Sequence, residues 1–128
     1  MNTEALTTMT DRVPKVFDAR GHAVMDYLTA GSFLALAFAF RQRHQRAAML
    51  ALANGVSIVM LSMLTDYPGG LWRTLSFKTH RSVDIALAGL TAAGPAMLGF
   101  AGDPEAQVFH GQAMMEGGVI AATNWEAA

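Results

Sequence analysis

The sequence predicts an all-α fold, a four-helix transmembrane bundle built from two tandem helix hairpins in parallel repeat. Three observations lead there. Apolar blocks occur four times, each of roughly 18–20 residues, near the about 20 that a helix needs to cross a bilayer at 1.5 Å per residue. Only 15% of the 128 residues are charged and 52% are hydrophobic, against about 25% charged in ordinary soluble domains. Finally, RGHAVMDYLTAG at 20–31 returns as KTHRSVDIALAG at 78–89: a base, a histidine, an aspartate four residues on, then Ala-Gly, all displaced by 58.

Taken in order, residues 1–19 read as a polar N-terminal tail lying at a surface. Pro14 argues against a continuous helix there. No apolar run followed by a small-residue cleavage site is present, so a cleavable signal is not expected. The membrane domain is expected over 20–125, with hairpin repeats at about 20–67 and 78–125. Its first block, about Gly21–Phe40, ends in FLALAFAF and is closed by the basic turn Arg41–Arg46. The second, about Ala47–Thr65, carries only Asn54, Ser57 and Ser62 as polar side chains before its final threonine. A turn dense in Pro and Gly, DYPGGLW, follows. The third block is about Ser82–Phe100, and the fourth about Glu105–Thr123 after Gly102-Asp103-Pro104. His110, Gln112, Glu116 and the Gly117-Gly118 pair make the fourth a poor lipid-facing helix, expected to be enclosed by protein or re-entrant.

The repeat continues at the same displacement. Asn54 meets Gln112, Thr65 meets Thr123, Asp66 meets Asn124, and Tyr67 meets Trp125. Ungapped matches at polar and helix-end positions imply two hairpins of the same orientation, related by an axis along the membrane normal.

These residues resemble the SPW-repeat family of small bacterial four-span integral membrane proteins. The likeness rests on H-x-x-x-D-Y at His22–Tyr27, on Thr65-Asp66-Tyr67 after the second block, and on the basic-x-His-x-x-x-Asp opening of the third. It rests too on Pro95 and the Gly99-Phe100 ending, although the Ser and Trp that name the repeat are replaced and the first copy lacks the proline. The resemblance covers about 20–125 and implies a four-span layout in the bacterial cytoplasmic membrane. It implies no activity.

Charge gives the topology and narrows the function. Arg12, Lys15, Arg20, Arg73, Lys78 and Arg81 fall on one side, against Arg41, Arg43 and Arg46 on the other, which favours both termini in the cytoplasm. A net charge of −1 offers no basic field for nucleic acid. Absence of cysteine removes disulfides and thiolate metal sites. No nucleophile elbow, phosphate loop or Ser-His-Asp arrangement appears, and His110 lies at the wrong end to complete a three-histidine hydrolase site, so no enzyme is expected.

Helix geometry gathers the polar residues at one end. His22 and His80 lie in the first turn of their helices, Asp26 and Asp84 about 7–8 Å deep, and Glu116 about 10 Å from the same face. Ionisable groups inside a membrane are functional candidates. One reading is a divalent metal held by His22, Asp26, His80, Asp84 and Glu116. Another is haem, with His22 and His80 as axial ligands. A third is a proton or ion relay through the carboxylates. Against these stands a structural network in which each i, i+4 His–Asp pair satisfies itself. There Arg20, Lys78 or Arg81 neutralises the carboxylates, and Asp66, Thr65, Thr123 and Asn124 complete the rim. The nine methionines are scattered and read as core packing. Gly31, Gly89, Ala30 and Ala88 recur in both copies and permit close helix approach. Tyr27, Tyr67, Trp72 and Trp125 read as an aromatic belt, and the Arg41–Arg46 turn as a contact with lipid headgroups. The leading expectation is a structural or accessory subunit, its partners being membrane lipid and other membrane proteins or further copies of itself.

Overall fold

The computed structural model describes residues 12–126, and among them it is all-helical, with four helices in chain order. They are α1 (Ala19–Phe40), α2 (Gln45–Leu64), α3 (Phe77–Met97) and α4 (Ala106–Ala121). Side chains start three of them. Asp18 accepts from the Gly21 N–H at 2.8 Å, His44 Nδ1 from the Ala47 N–H at 3.1 Å, and Ser76 Oγ from the Thr79 N–H at 3.0 Å. The Ser76 cap explains why α3 begins five residues before the expected Ser82: Lys78, His80 and Arg81 are polar yet helical. At its other end α3 tolerates Pro95 in its last turn. Gly99 then takes φ +76°, and the Phe100 N–H returns to Pro95 O at 2.7 Å, sending Phe100 into the core.

Neighbouring helices pack as hairpins, α1 along α2 and α3 along α4, with lesser seams between α2 and α3 and between α1 and α4. The four therefore stand as a square in which α1 and α3 are diagonal. Gly94 makes the α2–α3 seam close, since a Cβ there would come within 2.6 Å of Leu50 Cδ2. One end of the square is filled by Phe33, Phe40, Phe100 and Phe109, with Phe33 and Phe109 stacked at 6.2 Å. The other end holds the polar residues under a lid of Tyr67, Phe77 and Trp125.

At that polar end the chain is tied by two short backbone pairings. Phe17 N–H donates to Ala122 O at 3.0 Å and Asn124 N–H to Phe17 O at 2.8 Å. Leu75 N–H donates to Leu64 O at 2.8 Å and Asp66 N–H to Leu75 O at 2.7 Å. Each bond in the first pairing lies 58 positions from its counterpart in the second. Part of the expected surface tail, around Phe17, is thus pinned to the exit of α4, and Lys15 Nζ donates to Ala121 O at 2.8 Å. The remainder of that tail, residues 1–11, lies outside the described residues. Gly70 sits inside the matching turn at the exit of α2, where a Cβ would fall 1.9 Å from Thr65 O.

Two helices are long and apolar enough to cross a membrane, α1 with mean hydropathy 1.6 and α2 with 2.0. The four blocks expected from the sequence therefore split. α3 opens with too many polar residues. α4 has 16 residues, about 24 Å at 1.5 Å each, short of a bilayer core of about 30 Å.

Candidate functional site

The first turns of α1 and α3 face each other across the diagonal and bring His22, Asp26, His80 and Asp84 together. Both histidines are 0% exposed. The i, i+4 spacing was expected to make each His–Asp pair self-contained; instead the tighter pairings cross between helices. His22 Nε2 lies 3.0 Å from Asp84 Oδ2 and 3.3 Å from Asp26 Oδ1. His80 Nε2 lies 3.1 Å from Asp26 Oδ2 and 3.7 Å from Asp84 Oδ2. The diagonal is what the one-helix rule cannot see. Each histidine reaches the other hairpin's acid because its own helix points both side chains at the bundle axis.

The outer nitrogens are held by threonines. Thr123 Oγ1 stands 2.8 Å from His22 Nδ1, and Thr65 Oγ1 2.7 Å from His80 Nδ1. Those threonines also donate back along their own chain, Thr65 to Leu61 O and Thr123 to Val119 O, both at 2.6 Å. Over this layer lie the aromatic rings. Trp125 is 4.7 Å and Phe77 5.6 Å from the His22 ring, and Tyr67 is 5.2 Å from His80. Tyr67 hydroxyl donates to Asp26 Oδ2 at 2.9 Å. Burial, then the neighbouring Asp26 charge, pushes the Tyr67 pKa well above that of an ordinary phenol, which keeps it a donor. Tyr67 and Trp125 are accordingly core walls and not the lipid-facing belt expected of them, whereas Tyr27 and Trp72 are exposed.

The remaining expected members divide. Glu116 does not join the four residues whose ligand atoms converge. It lines a cavity of about 10 Å³ with Asp26, Asp84, Thr29 and Met25, and its buried Oε2 has no hydrogen-bond partner. Room of that size suits a single water. Thr65 and Thr123 are central. Among the described residues, the ion pairs of Asp26 and Asp84 come from the histidines and none from Arg20, Lys78 or Arg81. Lys78 pairs with Glu126 at 3.3 Å, Arg81 lies 5.9 Å over the Trp125 ring, and Arg20 lines an outer groove with Tyr27 and Pro68. Asp66 and Asn124 are exposed and join through backbone N–H groups. Phe77 was missed by the sequence reading, which began the second repeat at 78 and the third block at Ser82; its place one residue after a serine cap was the signal.

A haem does not fit. The imidazole rings are 5.2 Å apart at 81°, and both Nε2 atoms converge on carboxylates instead of facing across a flat gap. The adjoining cavity of about 10 Å³ is far too small for a porphyrin. Four nitrogen and oxygen donors within 4.8 Å of one another are instead of a size to hold one small cation or to trade protons among themselves. Compared with known proteins, the chain matches no family model, no curated protein and no solved structure.

Proposed function

We propose that this protein is an integral membrane four-helix bundle, two tandem hairpins at 20–67 and 78–125 in parallel repeat, acting as a structural or accessory subunit. The observation that carries this reading is the apolar outer surface, which encloses buried polar side chains. Large apolar residues point outward from every helix: Val24, Leu28 and Phe38 on α1, Met49, Leu52 and Met60 on α2, Ile85 and Leu90 on α3, and Met114, 79% exposed, on α4. Inside, beside the phenylalanine core, polar side chains are buried as well: His22, Asp26, Asn54, His80 and Thr91, with Thr91 Oγ1 donating to Asn54 Oδ1 at 2.9 Å across the α2–α3 seam. Water would penalise that outer surface and hydrocarbon would not. In this reading the His–Asp layer is a clasp tying the two hairpins together along the α1–α3 diagonal.

The parallel repeat is supported by the paired backbone ties at Phe17 and Leu75 and by the paired threonine–histidine bonds, each 58 residues apart. Kinship with the SPW-repeat family belongs to the same proposal and rests on His22–Tyr27 and Thr65-Asp66-Tyr67. So does a bacterial inner-membrane location with both termini cytoplasmic. Gly31, Gly89, Gly111, Gly117 and Gly118 have open space where a Cβ would stand, so small-residue surfaces are left for other membrane proteins or further copies. Fractionation tests the reading. The protein is expected in the membrane pellet after an alkaline carbonate wash and released only by detergent; recovery in the aqueous supernatant would refute it.

A further inference from the structure

We propose that His22, Asp26, His80 and Asp84 form a binding site for one divalent transition-metal ion, zinc foremost. Two hydroxyl protons fix the imidazoles. Thr65 Oγ1 lies 2.6 Å from Leu61 O and Thr123 Oγ1 2.6 Å from Val119 O, separations that require the hydroxyl proton between the oxygens. A threonine hydroxyl has one proton. Toward its histidine each oxygen is therefore an acceptor, and each Nδ1 carries hydrogen. A neutral imidazole so fixed presents Nε2 as a bare lone pair. Both Nε2 atoms stand among carboxylate oxygens at 3.0–3.7 Å, an arrangement that is repulsive unless positive charge lies between them.

That charge is either a proton on each Nε2 or one shared divalent ion. A proton suits His22, whose Nε2 is hydrogen-bonded to Asp84 Oδ2. It does not suit His80, whose fully buried Nε2 makes no aligned hydrogen bond although Asp26 Oδ2 is 3.1 Å away. A protonated Nε2 there would have its nearest acceptor, Asp26 Oδ2 at 3.1 Å, out of line with its N–H. A metal ion asks only that each lone pair point at the ion.

The spacing agrees. Metal–ligand bonds of about 2.0–2.1 Å in a tetrahedral zinc site put neighbouring ligand atoms about 3.3–3.5 Å apart. The imidazole–carboxylate separations, 3.0, 3.1, 3.3 and 3.7 Å, bracket that range, with Asp26 facing His22 through Oδ1 and His80 through Oδ2, so that one of its two oxygens serves the ion. Two carboxylates neutralise one divalent ion, as a buried site requires. Two imidazoles with two carboxylates suit zinc better than calcium or magnesium, which take oxygen shells. Each Nδ1–H donating to a threonine is the outer support that metal-bound histidines carry.

This inference rests on the clasp reading and names what closes it, but it does not need a bilayer. Its failure and that of the membrane assignment are therefore separately visible. The full chain, stripped with chelator and confirmed helical by circular dichroism, is titrated with Co²⁺ as the probe. One Co²⁺ per chain is expected, with the intense visible absorption of a four-coordinate ion, displaced by an equivalent of Zn²⁺. Thr65→Val keeps all four ligands and should weaken affinity about 10–100-fold, the usual cost of an outer-shell partner. His44→Ala should leave it unchanged. No stoichiometric uptake, the faint spectrum of six-coordinate Co²⁺, or undiminished uptake by Asp84→Asn would overturn the proposal.

Discussion

The two ends of the bundle use the same side chain in opposite ways. At one end His44 Nδ1 accepts from the Ala47 N–H, and its Nε2 donates to Asp103 Oδ2 at 2.8 Å. Both nitrogens are satisfied and the loop between α1 and α2 is locked to the one between α3 and α4. At the other end, threonines whose only proton is already committed force hydrogen onto Nδ1 of His22 and His80, turning Nε2 inward onto the Asp26 and Asp84 carboxylates. Neighbours, not the imidazole, decide whether a histidine caps or ligates. One end is finished by hydrogen bonds; the other needs a cation.

Removing each histidine is the severest way to break that contrast. His80→Ala leaves the buried Asp26 and Asp84 carboxylates without one of the two imidazoles that help close the site and should cost about 3–5 kcal/mol, read from denaturant unfolding of the detergent-solubilised protein. His44→Ala loses a helix cap and one half-exposed bond, so about 1 kcal/mol is expected in the same assay. Equal losses would erase the distinction. Next come Thr65→Val and Thr123→Val, each predicted to cost about 1–3 kcal/mol because an Nδ1–H is left buried without an acceptor. The two values should agree closely, since the sites correspond at a displacement of 58; a large disparity would count against equivalent hairpins. Smallest is Lys78→Ala. Its pair with Glu126 is 70% and 77% exposed at the side chains, and melting should shift hardly at all.

The sequence made the doubled motif legible because a displacement of 58 is a property of letters, and the pairs Thr65/Thr123 and Tyr67/Trp125 came with it. It did not make legible which acid each histidine would meet. The i, i+4 rule describes one helix, whereas the shortest contacts cross a diagonal that depends on how four helices stand. Hydropathy drew the start of α3 at Ser82 because it discounts Lys78 and Arg81, while the Ser76 cap needed only one hydrogen bond to begin a helix at Phe77. Nor does an aromatic residue at a helix exit declare its direction: Tyr67 turns inward to Asp26, and Trp72, five positions on, stays outside.

The account stands most directly on where the imidazole protons are. Long-range proton–nitrogen correlation spectra of the solubilised, histidine-labelled protein report the protonation of each ring nitrogen separately. With one Zn²⁺ per chain bound, His22 and His80 are predicted to carry hydrogen on Nδ1 and none on Nε2, and His44 the reverse. A proton on Nε2 of either His22 or His80 in that zinc-loaded protein would contradict it.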